Sequence, residues 1–119
     1  MNEKSQAAVA KLRRFHGRPC PYCAVPMEFG DPHSPRRPTK DHLLPKARGG
    51  RGLHGNVLMV CGGCNVSKGD MTLIEWHAHL ERVRDPRAIF VWAVIQSRDI
   101  AGFTLYDPKD LGAHEQRHS

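Results

Sequence analysis

A chain of 119 residues is long enough for one domain with a modest core and too short for two ordinary ones. Its 18 Lys and Arg against 12 Asp and Glu give a net charge of +6, which suits a polyanionic partner without separating DNA from RNA or a membrane surface. The longest apolar run, Ala88 to Ile95, is far too short to cross a bilayer, and Met1 to Lys4 holds no apolar stretch of signal-peptide length. The expectation is a soluble cytoplasmic protein with no membrane partner, in which thiols stay reduced and four cysteines point to metal rather than disulfides.

In chain order, residues 3–15 read as a helix. Ala7, Ala8, Val9, Leu12 and Phe15 recur at helical spacing, and Gly17 stands past the end as a C-cap would. Cys20-Pro21-Tyr22-Cys23 is a tight turn. Residues 30–38 hold three prolines and cannot be regular structure. Residues 39–44 predict a short strand that Pro45 ends. Residues 46–55 hold four glycines and two arginines and read as a mobile basic loop. Val57 to Val60 predicts a second, buried strand.

Cys61-Gly62-Gly63-Cys64 then turns into a short helix through Lys68, which Gly69 can stop. Thr72-Leu73-Ile74-Glu75 has the form of a capping box and opens a helix whose apolar stripe runs through Trp76, Leu80 and Val83. Asp85-Pro86 resembles another N-cap and first-turn proline. The run that follows is apolar on all sides; helix is the expectation, with strand as the alternative. The tail, residues 109–119, is polar and expected to be loose.

A Cys-x-x-Cys turn sets two thiolates one metal's width apart, and two such turns close the tetrahedron of a structural zinc. Cys20/Cys23 and Cys61/Cys64 are such a pair of turns. Pro21 and Gly62-Gly63 are expected to leave backbone amides free to face sulfur. A redox pair or free buried thiols are the alternatives to Zn²⁺. A zinc with four cysteine ligands has no open position and holds the fold without doing chemistry.

The segment between the turns carries Asp41-His42, Pro45, Gly49-Gly50 and Asn56, and the second turn is followed by Asn65 and Lys68-Gly69. In this order and spacing the chain resembles the HNH endonuclease family (ββα-metal, or His-Me finger), in its subgroup with two Cys-x-x-Cys zinc knuckles. The resemblance runs from Cys20 to about Trp76. The family's last His is Asn65 here, which makes the chain resemble a His-Asn-Asn variant. The resemblance implies an α+β fold: a ββα-metal core with a four-cysteine zinc site and flanking helices. It implies one domain over residues 1–119, with a core at about 18–84, an N-terminal helix at about 3–15 and a C-terminal extension at about 85–119.

The resemblance implies a metal-dependent enzyme that hydrolyses phosphodiester bonds in DNA, leaving 5′-phosphate and 3′-hydroxyl ends. His42 would be the general base, a role a neutral imidazole can fill near pH 7. Asp41 and Asn65 would hold the catalytic ion. Their oxygens form a hard donor pair, which favours Mg²⁺ or Mn²⁺ over softer metals. Asn56 would orient His42 or brace the loop between the strands. One difficulty is visible already: neighbours in a regular strand face opposite ways, so Asp41 and His42 serve one site only if the strand ends or bends there.

Lys40, Lys46, Arg48, Arg51 and Lys68 cluster around the motif and are expected to meet phosphates, the bland alternative being a solvated face. Asn56 could be a turn residue alone, Asn65 a helix cap alone, and His54 is the substitute base. His77 and His79, two apart on a helix, point to different faces and do not make a metal pair. Trp76 and Trp92 are expected in the core. The competing function is a zinc-stabilised nucleic-acid-binding module without catalysis; an RNase or a protein adaptor has no feature in its favour. The resemblance also admits a phage-encoded protein acting in the host cytoplasm, and the C-terminal extension is a candidate surface for a protein partner. Strand choice, sequence specificity and oligomeric state are not written in these residues.

Overall fold

The structure, a computed structural model, describes residues 2–49 and 56–98. Arg51, His54 and the tail at 109–119 lie outside the described residues. The architecture is a small α+β domain. Among the described residues it has four α-helices and a two-stranded antiparallel sheet.

Helix α1 (Glu3–Arg13) starts at Asn2, whose side chain accepts a hydrogen bond from the Ser5 amide. It buries no residue completely. The expected apolar stripe makes only a shallow contact: Ala7 and Ala8 are exposed, while Phe15, just beyond the helix, packs against the core.

Strands β1 (Pro38–His42) and β2 (Val57–Cys61) pair with Thr39 opposite Val60 and Asp41 opposite Leu58. Between them Lys46–Arg48 forms one 3-10 turn, closed by Gly49 at φ 93°, a left-handed conformation that glycine adopts without strain. Helix α2 (Gly62–Lys68) follows β2 directly and lies across the sheet.

Helix α3 (Leu73–Arg82) begins with the capping box that its sequence specifies: Thr72 accepts from the Glu75 amide and Glu75 accepts from the Thr72 amide. The apolar run after Pro86 is helix α4 (Ala88–Arg98), not strand. The core gathers Tyr22, Met27, Leu43, Val60, Leu73, Trp76, Leu80, Val91 and Ile95, all 5% exposed or less. The Tyr22 ring meets Trp76 edge-on, with centroids 5.0 Å apart. Trp92 corrects an expectation. It is 47% exposed and lies against His77 instead of entering the core. The inward face of α4 is already filled by Ala88, Val91 and Ile95, so the residue beside Val91 is turned outward. Among the described residues no helix is long and apolar enough to cross a membrane.

Candidate functional site

The first knuckle sits in a tight hairpin. Cys20 and Val25 share a backbone hydrogen bond, Met27 donates to Arg18, and Ala24 takes a left-handed φ of 65° as its amide donates to the Cys20 carbonyl. The second knuckle bridges the end of β2 and the start of α2. Together they bring the sulfurs of Cys20, Cys23, Cys61 and Cys64 within 4.8 Å of one another. Cys23 and Cys61 are 3.8 Å apart. A tetrahedral zinc with Zn–S bonds of about 2.3 Å sets its sulfurs about 3.8 Å apart, so the cluster fits such an ion. All four cysteines are free thiols, and three are buried.

Two amides do face sulfur, those of Tyr22 and Cys61, which donate to Cys20 Sγ at 3.4 and 3.3 Å. The neighbouring Cys64 sulfur, then these amides, lower the Cys20 thiol against the opposing effect of burial. The knuckle glycines serve another purpose than the one expected of them. The amides of Gly62 and Gly63 donate to the carbonyls of Arg37 and Pro35. A Cβ on Gly62 would stand 2.5 Å from the Arg37 guanidinium, and one on Gly63 would stand 3.3 Å from the Pro35 carbonyl. The Arg37 guanidinium is the far end of a flexible side chain and can move aside, so the backbone carbonyl of Pro35 against Gly63 is the firmer of the two limits.

Asp41 and His42 are not brought into one site. Asp41 lies on the face that α2 covers and is 3% exposed. Its Oδ2 accepts from Tyr22 Oη at 2.5 Å, and its Oδ1 accepts from Lys68 Nζ at 3.2 Å. Burial pushes the Asp41 carboxyl up and the Lys68 ammonium down, and the charge of each opposes the shift in the other. Lys68, expected to meet phosphate, is instead wholly buried, held by Asp41 and by the His42 carbonyl at 3.1 Å. The signal for this is present in the sequence. Lys68 stands four residues after the ligand position Cys64, so both belong to the inward face of α2.

Asn65 donates through Nδ2 to Thr39 Oγ1 and to the Lys40 carbonyl, both at 3.0 Å. It ties α2 to β1 from inside the helix and is not the cap, which is Cys61. A Mg²⁺ or Mn²⁺ keeps several waters and meets phosphate as well as protein oxygen. Asp41 offers no such opening: it is buried, and both of its oxygens are engaged. The expected Asp41/Asn65 pair, as packed here, does not fit a solvent-open divalent ion.

His42 is turned to the opposite face of β1 and is partly exposed. Partial burial, then the charge of Lys46, pulls its imidazole below the ordinary value of 6.5; Asp41 opposes this, and Lys68 and Lys40 add to it. Lys40 and Lys46 are exposed, a placement shared by phosphate-binding cations and by a solvated face. Arg48 is drawn away from that role by an ion pair with Glu75 and a bond to the Asp70 carbonyl. Asn56 is buried and braces the end of the sheet. Its Oδ1 accepts from the Leu44 amide at 2.9 Å, its Nδ2 donates to the Leu44 carbonyl at 3.3 Å, and its own carbonyl takes the Leu43 amide.

Two residues that the sequence did not single out belong to these networks. Tyr22, inside the first knuckle, closes the Asp41 network, and Arg87 reaches the second knuckle. Comparison with known proteins gives no match: no family model, no curated protein and no solved structure matches the chain.

Proposed function

We propose that the chain is a DNA endonuclease of the HNH kind that hydrolyses phosphodiester bonds with His42 as general base. The observation that carries this reading is the setting of His42. Its imidazole is partly open to solvent at the end of β1, is biased toward the neutral form, and stands in the field of the exposed cations Lys40 and Lys46. A neutral imidazole can take a proton from water, and flanking ammonium groups can hold a phosphate beside it. The ββα-metal reading is supported by the order β1, β2, α2 and by the packing of α2 on one face of the sheet. Asn56 keeps residues 43 and 44 in place and so fixes the chain next to the base.

A divalent ion, as the HNH resemblance implies, would polarise the phosphate and stabilise the leaving oxygen. Asp41 as packed does not present a place for it. That same closure favours a second reading, a zinc-stabilised module that binds nucleic acid without cutting it. Supercoiled-plasmid cleavage by the zinc-loaded protein, with Mg²⁺, with Mn²⁺ and with EDTA, separates the two. Cleavage that falls about 10²–10⁴-fold in His42→Ala supports the nuclease and its base. Cleavage unchanged in His42→Ala overturns the assignment of the base. Retarded but uncut DNA in every arm supports the binding module. Loss of cleavage in EDTA, with zinc retained, means that a divalent ion besides the zinc takes part.

A further inference from the structure

Arg87 lies in the turn before α4, far in sequence from the cysteines, yet its guanidinium reaches the metal cluster. Its Nη1 donates to Cys64 Sγ at 3.6 Å and its Nη2 to Ser67 Oγ at 3.2 Å. The Asp85 carboxylate takes its Nε and Nη2 at 2.8–3.2 Å, and the guanidinium carbon lies 5.4 Å above the Trp76 ring. The group is therefore fixed on three sides, with one N–H aimed at sulfur.

We infer that Arg87 supports the metal held by the four cysteines, stabilising the Cys64 thiolate and coupling metal occupancy to the docking of α4. Four thiolates around one Zn²⁺ leave a surplus of negative charge, and a cation donating to a ligand sulfur offsets part of it. The guanidinium suits this place because it stays charged and its planar fork serves Asp85 and Cys64 at once. The coupling follows from connectivity. Arg87 adjoins Ala88, the first residue of α4, and α4 then packs Val91 and Ile95 into the core. The inference stands on the cysteine cluster and does not depend on the nuclease reading.

The test uses the full chain loaded with Zn²⁺ or with Co²⁺ as a spectroscopic substitute. Chelator competition is expected to show Arg87→Met binding Zn²⁺ about 10–100-fold more weakly than wild type. The sulfur-to-Co²⁺ charge-transfer band is expected to move in Arg87→Met, because one ligand sulfur has lost its donor. Arg87→Lys keeps the charge but not the fork; it should recover part of the affinity, and it serves as the probe if Arg87→Met does not fold. With Zn²⁺ bound in both, amide exchange in α4 should be quicker in Arg87→Met than in wild type. Affinity within about twofold of wild type together with an unmoved Co²⁺ band, in whichever variant folds, overturns the inference. So does α4 protection that is the same in the zinc-loaded variant and wild type.

Discussion

Lys68 Nζ lies 3.2 Å from Asp41 Oδ1, with the side chains 0% and 4% exposed. A buried pair of this kind owes its retention to the penalty of breaking it, because removing one partner strands the other charge away from water. Lys68→Met and Asp41→Asn are each expected to lose about 3–5 kcal/mol. The double variant should lose less than the two singles combined, since neither charge is then left alone. Urea unfolding of zinc-saturated protein reads all three. Strict additivity would mean that the two charges do not depend on each other.

On the proposed nuclease reading, the pH dependence of cleavage follows from His42. Its imidazole is held below 6.5, first by partial burial and then by Lys46. A base must be neutral to act, so the rate is expected to climb about tenfold per pH unit at low pH and to level off with a midpoint under 6.5. Lys46→Ala removes a cation that disfavours imidazolium, so the midpoint should move upward. Initial rates measured at fixed ionic strength check both. A midpoint above 6.5, or one that falls in Lys46→Ala, contradicts this account.

Lys40 and Lys46 are exposed, whereas Lys68 is buried and Arg48 is paired with Glu75. Phosphate binding should therefore depend on the first two. Each lost phosphate contact lowers the salt slope of duplex binding by about 0.9, so Lys40→Ala and Lys46→Ala should each flatten log K against log salt by roughly that amount. Arg48→Ala should leave the slope within error and instead loosen the junction between the 3-10 turn and α3. Fluorescence anisotropy on a short duplex across a salt series distinguishes the three.

Where local chemistry decides, the structure is legible in the sequence. The Thr72–Glu75 capping box and the apolar run Val57 to Val60 each act within a few residues, and the doubled cysteine spacing is legible because one metal needs both turns; all three correspond to what the fold contains. The Tyr22–Asp41 bond is not legible. It joins residues 19 apart in sequence, and nothing in the spacing of a knuckle says where its aromatic ring will turn. Lys68 misleads because a seven-residue helix with one large apolar side chain shows no stripe from which to tell its inner face; the cue lies in the ligand Cys64. Arg87 escapes notice for a similar reason. Its partner sulfur belongs to another element, and only the packing of α4 on α3 brings the two together.

The cysteine cluster joins the hairpin at Cys20 and Cys23 to the β2–α2 junction at Cys61 and Cys64, and Tyr22, inside the first turn, meets Trp76 of the core. Binding of a structural zinc contributes about 10–16 kcal/mol in small domains, comparable to or larger than the roughly 5–15 kcal/mol by which a folded domain is stable at all. Stripping the metal should therefore abolish the cooperative thermal transition, not merely shift it. It should also remove the near-ultraviolet circular dichroism of Trp76, whose ring is 0% exposed. Cys23→Ser keeps the chain's shape but replaces a thiolate with a poor ligand, and it should behave like stripped wild type at limiting zinc. Excess Zn²⁺ should restore the transition in wild type and only partly in the variant. A melting curve indifferent to chelator would show instead that the apolar core around Trp76 and Leu80 holds the fold alone, with the four thiols as passengers.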